Sequence, residues 1–144
     1  MIVAVLDTNT IVSATLVGVG HSGQIVAAAR AGHFQWVTSA PIIAEVVRTL
    51  LHRRIQRKYR VTPDDVERIR ELLEADVVGT AITVTVEGVA THPEDDLILA
   101  TAVSARADYL VTGDRHLQKL NRFRGVEIVS PRTFVDILAV SARR

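Results

Sequence analysis

Cysteine is absent from the 144 residues of this chain. Disulfides and thiolate metal sites are therefore excluded, and the expected location is a reducing cytoplasm. Aromatic residues make up only 4%, so the core has to be built from Val, Ile, Leu and Ala. Charge of one sign is also lacking. Seventeen Lys and Arg face sixteen Asp and Glu, a net +1, so bulk charge makes no case for a nucleic-acid partner, and local patterning has to make it. No stretch approaches the roughly 18 uninterrupted apolar residues that cross a bilayer. The apolar start, Met1–Leu6, has no basic segment before it and is broken at Asp7, unlike a signal peptide. What is present is ordinary for a folded protein, with 48% apolar and 23% charged residues. One domain over residues 1–144 is expected.

Met1–Leu6 reads as a strand buried on both faces, the kind found in parallel sheets. His21–Ala31 has helical spacing, with Gly32 as its stop. Phe34–Val37 reads as a second strand. Thr38 or Ser39 is placed to cap the helix that carries Ile42, Ile43, Val46, Val47, Leu50 and Leu51. Thr62-Pro63-Asp64-Asp65 is a helix start, with a capping hydroxyl, Pro at the first position and acids at the positive dipole end. Val66, Ile69 and Leu73 form that helix's buried stripe. Gly79–Val86 alternates enough for a strand. Pro93 opens a helix to about Arg106, followed by a strand at Tyr109–Thr112, a turn at Gly113 and a short helix at Asp114–Leu120. Val126–Val129 is the last strand, and Pro131 to about Val140 the last helix. Strands alternating with helices predict a layered α/β fold around a mostly parallel sheet.

In such sheets ligands bind beyond the carboxyl ends of the strands. Asp7 closes the first strand and Asp114 follows a later one. Each reads as a helix cap or as part of a site. Glu45 lies early in an otherwise apolar helix, and Glu94-Asp95-Asp96 crowds the first turn of another. Three acids exceed what one helix dipole asks for. Two carboxylates about 5 Å apart repel by about 3 kcal/mol at an effective dielectric near 20. Grouping them therefore calls for a proton or a cation. With no Cys and no paired His, an oxygen-only set selects Mg²⁺ or Mn²⁺ over Zn²⁺, and such an ion suits in-line attack on a phosphodiester.

Val5-Leu6-Asp7-Thr8-Asn9, Ser39 through Glu45, Glu94-Asp95-Asp96-Leu97-Ile98-Leu99-Ala100 and Leu110-Val111-Thr112-Gly113-Asp114 occur in this order. Their order and spacing resemble the PIN-domain nucleases, in particular the toxins of bacterial and archaeal toxin–antitoxin pairs (VapC-like). The resemblance runs from residue 2 to about 138. It implies a three-layer α/β/α fold and an endoribonuclease site of three or four acids with one or two divalent cations, Mg²⁺ or Mn²⁺. Carried over by position, Asp7 is a central metal ligand and Glu45 binds metal or orients water. Asp95 is the third acid, Asp96 an alternative or assisting ligand, and Asp114 the fourth acid, acting through water. Asn9 and Thr112 are implied as polar contacts to the substrate. His92 departs from the pattern, since related sequences often have an acid there. An antitoxin partner and a homodimer are implied by the resemblance alone.

Arg48, Arg53, Arg54, Arg57, Lys58 and Arg60 place six basic residues within 13 positions. They either steer RNA phosphates toward the acids, with Arg48 and Arg53 as substrate-binding candidates, or form a solvated helix end paired with the acids of residues 64–76. Tyr59 is read as partial core or as a stacking surface. The five histidines show no metal spacing, and Gly18, Gly20 and Gly23 form no dinucleotide fingerprint. A phosphatase of the haloacid-dehalogenase type is disfavoured, because Asn9 stands where its second Asp belongs. The remaining rival is a catalytically silent RNA- or protein-binding module of the same fold.

Overall fold

Val3–Leu6 forms β1, and every residue after Val3 in it is buried. The structure is a computed structural model, and residues 1–143 are described. Among them the chain continues through α1 (Thr8–Leu16), α2 (Gly20–Arg30), β2 (Gln35–Thr38), α3 (Ala40–Leu51), α4 (Arg53–Tyr59) and α5 (Pro63–Glu71). A π-helical turn, Leu72–Asp76, leads into the two-residue strand β3 (Val78–Gly79). Then follow α6 (Pro93–Ser104), β4 (Tyr109–Val111), α7 (Arg115–Gln118), β5 (Arg122–Phe123), β6 (Val126–Val129) and α8 (Pro131–Ala142).

The sheet order is β3-β2-β1-β4-β6-β5, parallel throughout except for the β5–β6 pair. Helix α2 packs against α1 and α8, and α3 packs against α5 and α6, which gives the three layers expected for strands wound in βαβ units. The core is aliphatic as its composition requires. Ala4, Val5, Leu6, Ile11, Ile25, Val46, Leu50, Ile69, Leu99 and Leu110 are fully buried. Phe134 is the large aromatic at the centre, its ring edge-on to Phe34 with centroids 5.0 Å apart.

The topology fixes where a ligand goes. From β1 the chain first moves outward to β2 and β3, then returns to the other flank of β1 as β4. The crevice beyond the carboxyl ends of β1 and β4 is therefore the switch point of the sheet. Two backbone bonds hold its rim, Asp7 N–H to the Val111 carbonyl at 3.1 Å and Thr112 N–H to the Val129 carbonyl at 2.9 Å.

Several elements depart from expectation. Residues 8–16 form a helix although their composition is rich in β-branched side chains. Asp7 caps it, and Thr8, Thr10, Ile11, Val12 and Ala14 are buried by the neighbouring layers, so packing overrides propensity. Gly18 and Gly20 adopt φ of 72° and 75° in the turn between α1 and α2, and Gly23 lies against Gly18 so closely that a Cβ would meet its carbonyl carbon at 2.5 Å. Those glycines serve the turn. The alternation in Gly79–Val86 is real, with Ile82, Val84 and Val86 turned to the core, yet the ladder ends at Gly79. Ser39 precedes α3 without capping it; its hydroxyl instead meets Thr101 Oγ1 at 2.8 Å. The Thr62 capping box is present. Beyond Arg48, which lies on α3, the basic stretch forms a separate short helix, α4, capped by Arg60. Among the described residues Arg53, Arg54, Arg57, Lys58 and Arg60 make no ion pair.

Candidate active site

Asp7 leaves β1 in an extended conformation and caps α1. Its Oδ1 accepts from Thr10 N–H at 2.9 Å, and its Oδ2 accepts from the Thr112 hydroxyl. The same Thr112 hydroxyl accepts from Asp114 N–H at 3.0 Å. One buried threonine thus links the carboxylate at the end of β1 to the residue that follows β4. Asp114 in turn caps α7, with Oδ1 accepting from His116 N–H at 2.8 Å. Both acids cap helices and still keep acceptor capacity for a ligand, since a carboxylate has lone pairs to spare beyond the capping bond. Gln118 braces the turn through its Nε2–H to the Thr112 carbonyl at 2.7 Å.

Asp7, Glu45, Asp95 and Asp114 line one cavity of about 380 Å³, together with Asn9 and Thr49. They come from β1, α3, α6 and the turn after β4, segments far apart in sequence. Three larger hollows, about 500, 570 and 690 Å³, lie elsewhere and contain none of these four acids. Convergent carboxylates, and not volume, mark the chemistry. The sequence model of the PIN domain matches residues 3–116. The chain belongs to the PIN domain family. PIN domains are generally nucleases and usually use divalent metals. No curated protein matches the chain.

The electrostatics of this PIN domain follow from crowding. Burial pushes the Asp7 carboxyl above its ordinary value, and Asp114 adds to the push, while the bonds from Thr10 and Thr112 oppose it. Asp95 is pushed up to about 6, first by burial, then by the negative charges of Asp114 and Asp7, with His92 pulling the other way. A proton or a cation relieves both. The donors are carboxylates, so a hard divalent ion fits the set by chemistry. Among the described residues, however, no three His, Asp or Glu side chains stand as a ready-made ligand cage. The fit is therefore one of donor type and shared cavity.

Asp96 corrects one expectation. It is buried, and its two oxygens accept the N–H groups of Gly88, Val89 and Ala90 at 3.0, 3.2 and 2.7 Å. Its carboxylate holds the loop before α6 and does not line the cavity. The expected substrate contact at Thr112 is corrected as well. Thr112 is fully buried and positions acids, out of reach of a substrate. Asn9 is exposed at the cavity. Arg48 pairs with Glu45, Nε to Oε2 at 3.1 Å, on the exposed side of α3. Arg53 lies two residues beyond the end of α3, exposed on α4.

Sequence reasoning missed Thr49 as a cavity residue and Gln118 as a brace, while Glu94 and His92, singled out there as part of the acid run and as a departure from the family pattern, also line the cavity. Thr49 had a usable signal, since it lies four residues after Glu45 and so on the same helix face. Gln118 had none.

Proposed function

We propose that this PIN domain is an endoribonuclease that hydrolyses RNA phosphodiesters with Mg²⁺ or Mn²⁺. What carries the reading is that four acids from four separated segments line one cavity at the sheet's switch point. Asp7, Asp95 and Asp114 would hold the ion, with Asp7 and Asp114 kept in register by Thr112. When bound, the ion acidifies a water and offsets the charge that builds on the phosphoryl group. Glu45, half-buried on α3 at the edge of the cavity, takes the proton of the attacking water. Arg48 orients Glu45 and α4 supplies unpaired cations. An acidic pocket alone repels RNA, and the exposed basic helix that follows α3 supplies the opposing attraction for phosphates.

We further infer, from the likeness of motifs, that the chain is the toxin of a toxin–antitoxin pair, acting in the cytoplasm as a homodimer when free of its antitoxin. Among the described residues no single helix is long and apolar enough to cross a membrane. The rival reading, a catalytically silent RNA- or protein-binding module, is favoured by the lack of a ready-made ligand cage. Labelled RNA incubated with the protein and Mn²⁺ separates the two. Cleavage is expected, abolished by chelator and reduced on the order of a hundredfold or more by Asp7→Asn. Intact RNA under all conditions would favour the silent module.

A further inference from the structure

A second hollow of about 250 Å³ opens beside the acid-lined cavity. The two share Thr8, Glu45, Glu94 and Ile98, so they are two ends of one cleft between α3 and α6. The walls particular to this end are Pro41, Ile42, Ala44 and Leu97, with Arg48 beside them. An apolar slot of this kind suits neither a phosphate nor a hydrated ion. Its volume lies under the roughly 300–1,000 Å³ of drug-sized sites, which suits one ring system and not a whole nucleotide.

The polar groups around the slot narrow the choice of ring. Thr8 borders both hollows, is only 8% exposed, and has a buried hydroxyl with no hydrogen-bond partner. As the first residue of α1 it has no helical carbonyl four residues back to donate to. Arg48 spends Nε and Nη2 on Glu45 and keeps the other guanidinium N–H groups free. Glu94 is exposed, with no ion-pair partner among the described residues. A planar donor and a carboxylate acceptor thus flank an apolar slot. Guanine is the base that answers both, since O6 and N7 accept from an arginine while N1–H and the 2-amino group donate to a carboxylate. Adenine and cytosine offer no such adjacent donor pair, and uracil offers a single N–H.

We propose that this hollow is a base subsite that takes an unpaired guanine next to the scissile phosphate, read by Arg48 and Glu94 against Pro41 and Leu97. This rests on the ribonuclease reading of the adjoining cavity. The test is fluorescence anisotropy with end-labelled uridine hexamers whose central base is guanine, adenine, cytosine or uracil. The full chain carrying Asp7→Asn is used in chelator, so that binding is read without cleavage. The guanine hexamer is expected to bind about tenfold tighter than the others, as one bidentate base contact allows. Arg48→Met and Ala44→Trp, both at exposed positions of α3, should each bring it to the level of the other three.

Equal affinity for all four hexamers overturns the subsite and leaves the ribonuclease reading standing, because wild-type cleavage with Mn²⁺ is scored separately. A preference for another base overturns the guanine assignment. A guanine preference that survives both substitutions places the contact elsewhere and rejects the site. Binding to none of the hexamers rejects the subsite if the wild-type protein still cleaves RNA, and rejects both readings if it does not.

Discussion

Asp95 and Asp96 occupy consecutive positions in the first turn of α6, about 100° apart around its axis, and they meet opposite surroundings. Asp96 turns into a loop that offers three backbone N–H groups. Asp95 turns into the cavity, where Asp7 and Asp114 already place negative charge and no hydrogen bond offsets its raised pKa. One carboxylate is satisfied by the protein and stabilises it. The other is left in want of a positive partner. The lesson is that an acid becomes a candidate ligand through what the fold withholds from it, as much as through where it lies.

The comparison breaks most visibly at Asp96. Asp96→Ala should destabilise the fold by about 3 kcal/mol, because three N–H groups lose a charged acceptor, and lower the Tm by roughly 10 °C. Asp95→Ala should leave the Tm unchanged or raise it. Scanning calorimetry on the metal-free proteins decides. Equal losses in the two variants would erase the distinction drawn here.

Thr112 sharpens the other side of the comparison, since it serves Asp7 and Asp114 without touching a substrate. Thr112→Val should weaken Mn²⁺ affinity and RNA cleavage by about 10–100-fold, with Thr112→Ser restoring both because its hydroxyl replaces the lost one. Calorimetric titration of Mn²⁺ beside cleavage rates gives the answer. If valine and serine behaved alike, the linking bond would have no part in positioning the acids.

The smallest effect is in the pH dependence. Asp95 has a folded pKa of about 6 against an ordinary 3.8, so between those values the folded state holds more proton than the unfolded one. Stability then falls as pH rises through this window. Because Asp95 is only partly buried, solvent screening keeps the change modest. The metal-free wild type should lose Tm from about pH 4 to 6, and Asp95→Asn should flatten that slope. An unchanged slope would remove Asp95 as its source.

The sequence made much of this arrangement legible, and the reasons for the gaps are physical. β1 and β4 announced themselves as short apolar runs ending near Asp7 and Asp114, which put two acids at one sheet edge once the strands were taken as parallel. The segment after Gly79 misled because period-2 alternation reports burial of one side, and Ile82, Val84 and Val86 are buried without a strand to pair with. The acids at 94–96 were sorted only by likeness to the family motif, since which of them faces the cavity depends on how α6 is rotated against β1 and β4. Asn9 and Glu45 were placed at the cavity from motif order, whereas the linking role of Thr112 needed coordinates. Its hydroxyl bonds a carboxylate 105 positions away in the chain.

Whether Asp7, Asp95 and Asp114 share one hard cation, as proposed, is tested most directly by calorimetric melting at pH 7 with and without Mn²⁺. At about 100 times the dissociation constant the wild type should gain about 2.7 kcal/mol, seen as a raised Tm that Asp7→Asn and Asp95→Asn both lose. No Tm change with either Mn²⁺ or Mg²⁺ in the wild-type protein would contradict it.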